Sequence, residues 1–139
     1  MLALNLGANE IEPDINIGDN GQMIIYHGGS RSTTKLIDYL QDLHAITLAH
    51  PSTGTLVFDC KHPAHSPDNG LTLLMAIRER LTFDLPLNVL FLVANLNGVS
   101  MFANIHSVLC FREGLLIDDE NNPVGVANYL NGISVGHCS

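Results

Sequence analysis

A chain of 139 residues with 46% apolar and 14% charged residues can bury one sizeable core, which excludes a disordered or low-complexity protein. Fourteen acidic residues against six basic ones give a formal charge of −8, which repels nucleic-acid phosphates and argues against a nucleic-acid partner. No apolar run approaches the roughly 20 residues of a membrane-spanning helix, so the chain is expected to be soluble. Met1 to Gly7 has neither the basic flank nor the long apolar stretch of a signal peptide. Cys60, Cys110 and Cys138 are odd in number and widely spaced, which fits neither a disulfide framework nor a Cys-type zinc site.

In chain order, Glu10 to Ile17 alternates apolar and polar residues and predicts a strand, with Asp19-Asn20-Gly21 as a tight turn. Gln22 to Tyr26 is a second extended segment leading into His27-Gly28-Gly29. Ser32 or Thr33 is placed to cap a helix over 34–48, where Leu36, Ile37, Leu40, Leu43 and Ile46 recur at helical spacing. A strand is predicted over 55–61, a helix over 70–81, and a buried strand over 87–94, where almost every position is apolar. Helix is expected over 99–111, extended chain over 115–118, helix over 123–130 with Pro123 in its first turn, and a last strand over 133–137. Alternating strands and helices predict an α/β fold built of βα units. Leaving out the 22–26 excursion, five barrel-type strands are expected, against the eight of a complete (β/α) barrel. The chain therefore reads as one incomplete, TIM-type barrel domain.

Glu12 and Asp14 are two apart on the first strand, so their side chains leave one face while Ile11, Pro13, Ile15 and Ile17 leave the other. In a parallel barrel the apolar outer face meets helices, and the carboxylates point inward at the strand's C-terminal end, where barrel active sites sit. The same pattern suits an antiparallel strand with one wet face. Asp59 and Lys61 repeat the spacing after Leu56-Val57-Phe58 and read equally as an ordinary strand-end ion pair. Three carboxylates together would make an all-oxygen site for Mg²⁺ or Ca²⁺. His27, followed by two glycines that let the backbone turn sharply, suits a general acid or base.

Gly7-Ala8-Asn9-Glu10-Ile11-Glu12-Pro13-Asp14, then Tyr26-His27-Gly28, with His27 thirteen residues after Asp14, and then Val57-Phe58-Asp59-Cys60-Lys61 resemble the sphingomyelinase D/phospholipase D toxin family. That family is related to the glycerophosphodiester phosphodiesterases. The resemblance implies a phosphodiesterase barrel in which Glu12, Asp14 and Asp59 hold Mg²⁺, His27 is a catalytic acid/base, and Lys61 and Gly28 lie at the substrate. The implied reaction is a phosphorus-oxygen lyase step on a phospholipid, lysophospholipid or sphingolipid. It releases the headgroup alcohol and leaves a cyclic phosphate. The family members are secreted.

Departures from the family bear on this expectation. Its second catalytic histidine falls upstream of Met1, Ser32 stands where many members carry a carboxylate, and Arg31 and Thr33 stand where they carry cysteines. The chain by itself is therefore expected to be inactive, and its unpaired strand edges predict poor solubility or an oligomer. Two other readings stand beside it. One is a glycerophosphodiester phosphodiesterase acting on water-soluble diesters, although Asp59-Cys60-Lys61 favours the first family. The other is a non-catalytic, truncated or degenerate homologue. Among the other histidines, His62 and His65 line the mouth of the site in this reading. His44 and His50 fall near a helix end, where imidazole meets exposed carbonyls. His106 and His137 read as structural, and Asp118-Asp119-Glu120 as a solvated turn.

Overall fold

The computed structural model describes residues 10–18, 20–25, 34–136 and 138. The expected site positions Tyr26, His27 and Gly28 lie outside the described residues, as do Asp19, Ser32 and Thr33. The strands are β1 (Glu10–Ile11), β2 (Asp14–Ile17), β3 (Met23–Ile25), β4 (Thr55–Cys60), β5 (Asn88–Val93) and β6 (Glu113–Ile117). The helices are α1 (Leu36–Ala49), α2 (Pro67–Ile77) and α3 (Pro123–Asn131). All the strands join one sheet, in the order β3-β2-β4-β5-β6, with β1 also paired to β4.

The predicted first strand is divided. Both β1 and β2 pair in parallel with β4, and Ile11 opposite Leu56 and Asp14 opposite Asp59 keep the same offset of 45 (56 − 11 and 59 − 14). They are two stretches of one strand line interrupted at Glu12-Pro13. Pro13 has no N–H for the ladder, yet its carbonyl still accepts from the Asp59 amide at 3.0 Å. β3 turns back antiparallel on β2 through Asn20-Gly21, with Gly21 at φ 79°. The described parallel strand lines are therefore four, β1/β2, β4, β5 and β6, rather than five.

Strand alternation divides the sheet into two faces. Ile15, Leu56, Phe58, Cys60, Val89, Phe91 and Val93 face one way and share a single buried cluster with Leu36, Leu40 and Leu43 of α1 and Leu73, Leu74 and Ile77 of α2. Phe58 and Phe91, opposite each other in the ladder, stack with ring centroids 6.4 Å apart. Asp14, Val57 and Asp59 therefore point to the opposite face.

α1 begins at Leu36 with Lys35 as its first cap and no side-chain cap. α2 begins at Pro67, three residues before the predicted start, because the Ser66 hydroxyl accepts from the Asn69 amide at 3.1 Å. It continues through Arg78–Thr82 as a wider π-type turn. The predicted helix over 99–111 is instead two short 3-10 stretches, Leu96–Phe102 and His106–Val108. Their i→i−3 bonds, Ala103 to Ser100 and Ile105 to Phe102, replace the α pattern. The predicted strand over 133–137 is corrected as well. Residues 133–136 are irregular, Gly136 donates to His106, and His137 lies outside the described residues.

Gly70 is buried where α2 crosses the Leu96–Phe102 stretch, and a methyl group there would overlap the Met101 carbonyl. Backbone cannot retreat as a side-chain tip can, so overpacking should cost about 2 kcal/mol even after the better helix propensity of alanine, near 1 kcal/mol, is credited. Gly70→Ala is expected to lower the urea midpoint with an unchanged slope. A midpoint that rises would show that the two segments do not touch at Gly70.

Among the described residues no helix is long and apolar enough to cross a membrane. β6 has no strand beyond it in this order, and α3 contributes no buried residue.

Candidate metal and phosphate site

At the C-terminal end of β4, Asp59 sits directly across the ladder from Asp14 of β2. The Lys61 amide continues this ladder by donating to the Ile15 carbonyl at 2.9 Å. Both carboxylates leave the face that the helices do not cover, as the alternation within each segment predicts. Glu12 is exposed in the break between β1 and β2, at the ladder position beside Val57. That position shares the face of Asp14 and Asp59. Among the described residues, no three His, Cys, Asp or Glu side chains group closely enough to hold a metal ion. The expected three-carboxylate set is thus represented by the cross-strand pair, with Glu12 displaced toward solvent.

Lys61 closes on this pair. Its Nζ lies 2.8 Å from Asp59 Oδ2, with the lysine 40% and the aspartate 20% exposed. The hydrogen bond to Asp59 raises the lysine's pKa above the ordinary ammonium value, against a smaller opposing effect of burial, and the charges of Asp59 and Asp14 add to the rise. A raised ammonium pKa means that the pair is complete below the ordinary lysine value and is lost only as pH climbs through the raised one. The other oxygen, Asp59 Oδ1, is buried and has no hydrogen-bond partner among the described residues. A buried carboxylate oxygen without a donor is costly, and a cation would relieve that cost.

The residues present fit a hard divalent cation. Mg²⁺ is commonly held by one or two carboxylates and completes its shell with waters and phosphate oxygens, and the donors here are oxygen throughout. Asp14 and Asp59 would hold it, with Glu12 within the same face if its side chain swings inward. Lys61 then competes with the cation for Asp59. A pair this exposed is worth about 1 kcal/mol at most, so Lys61→Gln should tighten Mg²⁺ binding by no more than about fivefold. Weaker binding in calorimetry would show that Lys61 supports the site rather than competing for it.

The loop after β4 is tied down by its own bonds. His65 is tied by Nε2 to the Cys60 carbonyl at 2.6 Å, and Ser100 donates to the His65 carbonyl at 3.1 Å. His65 is therefore committed to holding the loop. His62 is exposed beside it, with ring centroids 6.3 Å apart. Cys60 is buried on the helix side, and burial, followed by the nearby charge of Asp59, pushes its thiol up to about 12. It is a protonated core residue at neutral pH and not a nucleophile.

Two of the remaining histidines, His44 and His106, bond elsewhere. His44 meets Asp84 at 2.7 Å and stacks on Phe83, rather than binding helix-end carbonyls, whereas His106 holds the Ser134 carbonyl at 2.6 Å in a structural role.

Sequence reasoning missed two features at the opposite, N-terminal edge of the sheet. One is the bidentate pair of Arg78 with Glu113, at 2.9 and 2.6 Å, which also holds the Cys110 amide. The other is a Cys110–Cys138 disulfide, where the odd number and wide spacing of the cysteines suggested no disulfide framework. Residues 35 and 28 apart carry no local pattern that would reveal either. Comparisons with protein-family models and with curated proteins find no match to the chain.

Proposed function

We propose that this chain carries the core of a Mg²⁺-dependent phosphodiesterase site of the sphingomyelinase D/phospholipase D type on a (β/α)-barrel-like sheet. The observation that carries the reading is the cross-strand pair Asp14 and Asp59 at the C-terminal edge of the sheet, with Asp59 Oδ1 buried and without a hydrogen-bond partner among the described residues. The strand order supports it. β2, β4, β5 and β6 follow one another without reversal, and the helices lie against one face, as in one arc of a barrel.

In this reading Asp14 and Asp59 hold the cation, Glu12 completes the carboxylate set, and Lys61 leaves Asp59 to donate to a non-bridging phosphate oxygen. The bound cation supplies charge compensation at phosphorus. Gly28 lets the backbone come close to the substrate. A hydroxyl of the lipid attacks phosphorus, the bond to the headgroup alcohol breaks, and a cyclic phosphate remains. His27 exchanges a proton with the attacking or departing oxygen, and a second acid/base group serves the other side. The substrate class is a phospholipid, lysophospholipid or sphingolipid.

The experiment is choline release from lysophosphatidylcholine, sphingomyelin and glycerophosphocholine, with Mg²⁺ and with chelator. Mg²⁺-dependent release from the two lipids, lost in Asp59→Asn, supports the proposal. Release from glycerophosphocholine alone indicates the glycerophosphodiesterase instead. The non-catalytic reading is favoured by one observation, the Lys61 ion pair that already occupies an oxygen of Asp59. No release from any of the three, together with no Mg²⁺ binding, decides for it.

A further inference from the structure

At the N-terminal ends of β5 and β6, on the sheet edge away from Asp14 and Asp59, lies a cavity of about 350 Å³. Its apolar wall includes Phe83, Leu85, Leu87 and Phe111, and its charged residues are Arg78, Glu113 and Arg112. The two phenylalanines stand open to solvent, at 63% for Phe83 and 81% for Phe111. Rings that exposed, both lining one concavity, form the kind of apolar surface that marks a binding site.

The charges are unequal in their commitments. Arg78 and Glu113 neutralise each other in a bidentate pair, and Arg78 also donates to the Val108 carbonyl at 2.7 Å. Burial raises the Glu113 pKa, but the bonds from Arg78 and the Cys110 amide outweigh it and hold the carboxyl below its usual range, so it stays ionised and paired. Arg112 has no carboxylate partner among the described residues. Its guanidinium makes one long contact, 3.4 Å to Asn88 Oδ1, and sits 6.0 Å from the centre of the Phe111 ring. Asp84, next to Phe83, is occupied by His44. The cavity thus offers one uncompensated positive charge beside an apolar wall, in a chain whose net charge is −8.

We propose that this cavity binds a single-chain anionic amphiphile, with its carboxylate-like head on Arg112 and its hydrocarbon chain against Phe83, Leu85 and Phe111. A guanidinium receives a planar carboxylate through two parallel N–H donors, and Arg112 has those donors to give. The Phe111 ring, 6.0 Å away at the outer reach of a cation–π contact, favours a guanidinium that stays over the apolar wall. The cavity lies at the small end of the ~300–1,000 Å³ range of ligand sites, so a chain of roughly ten carbons is the appropriate probe. This site is separate from the phosphodiesterase reading and does not depend on it.

The test is calorimetric titration of the chain with decanoate below its micelle concentration, alongside decanol and decyltrimethylammonium. Chemical shifts of amides 82–89 and 110–113 would be followed in parallel. Saturable 1:1 binding of decanoate is expected, with those amides shifting. A charge-assisted hydrogen bond is worth about tenfold or more in affinity, so Arg112→Gln should weaken decanoate at least that much and leave decanol unchanged. Phe111→Ala should weaken both. Both side chains are exposed, and circular dichroism of each variant checks that the fold is kept. Absence of saturable binding overturns the proposal. So does decanoate binding that Arg112→Gln leaves intact, decanol or the ammonium amphiphile binding as tightly as decanoate, or shifts that map to the Asp14 and Asp59 edge instead.

Discussion

Cys138→Ser is expected to lower the unfolding free energy by about 3.5 kcal/mol, the loop-closure value for a crosslink of this span. The disulfide joins Cys110 to Cys138 across 28 residues, a stretch that contains β6 and α3. Among the described residues β6 has a strand neighbour on one side only, and α3 has no buried residue. The segment after α3 is held against residues 106–111 by Gly136 donating to the His106 carbonyl at 2.8 Å and Phe111 donating to the Cys138 carbonyl at 2.7 Å. Gly136 approaches so closely that any side chain would overlap the carbonyls of Ser107 and Leu109. Without the crosslink the unfolded chain regains its entropy, and these few bonds are left to hold the segment. Urea unfolding with and without a dithiol reductant measures the effect. Cys60, buried and protonated, is the internal control, since it should resist alkylation until the protein unfolds. Equal stability in oxidised and reduced protein would mean that the crosslink constrains nothing.

The second large effect concerns chemistry. In protein with measurable choline release, His27→Ala should lower turnover by about 10²-fold or more, the usual scale for a positioned acid or base. The reasoning is that Asp14, Asp59 and Lys61 can bind and orient a phosphodiester but none of them is suited to move a proton near neutral pH. Both aspartates are needed as anions, and Lys61 is held in its charged form by Asp59. A positioned imidazole titrates in the required range. His65 cannot take its place while its Nε2 is bonded to the Cys60 carbonyl. If His27→Ala turns over normally while His62→Ala does not, the exposed His62 is the acid/base group and the assignment drawn from Tyr26-His27-Gly28 is wrong.

Most of the sheet was legible in the sequence because burial writes itself into composition. β4 and β5 were found as short apolar runs, and α1 as leucines at helical spacing, all of which enter the shared core. The two-residue period of strands gave the shared face within each strand, Glu12 with Asp14 and Asp59 with Lys61. What the sequence did not reveal depends on contacts between distant segments. Only the register shows that Asp14 stands opposite Asp59, and only the fold shows that Glu12 is left exposed at the Pro13 interruption. Residues 133–136 have strand-like composition but pair with no strand among the described residues, and their groups bond to His106 instead. The 99–111 stretch has helical periodicity, but Asn104, His106 and Ser107 are weak helix formers, and short 3-10 turns prevail.

The central claim is that Asp14 and Asp59 form a cation site, and its most direct test is Mg²⁺ titration of the wild-type chain, Asp14→Asn and Asp59→Asn by calorimetry at neutral pH and low salt. Three outcomes are predicted together: saturable binding of one Mg²⁺ by the wild type, loss of about tenfold or more in affinity in each variant, and a rise in the wild-type unfolding temperature on adding Mg²⁺. Equal Mg²⁺ affinity in all three proteins, or no binding by the wild type, would contradict the account and leave the two carboxylates as partners of Lys61 alone.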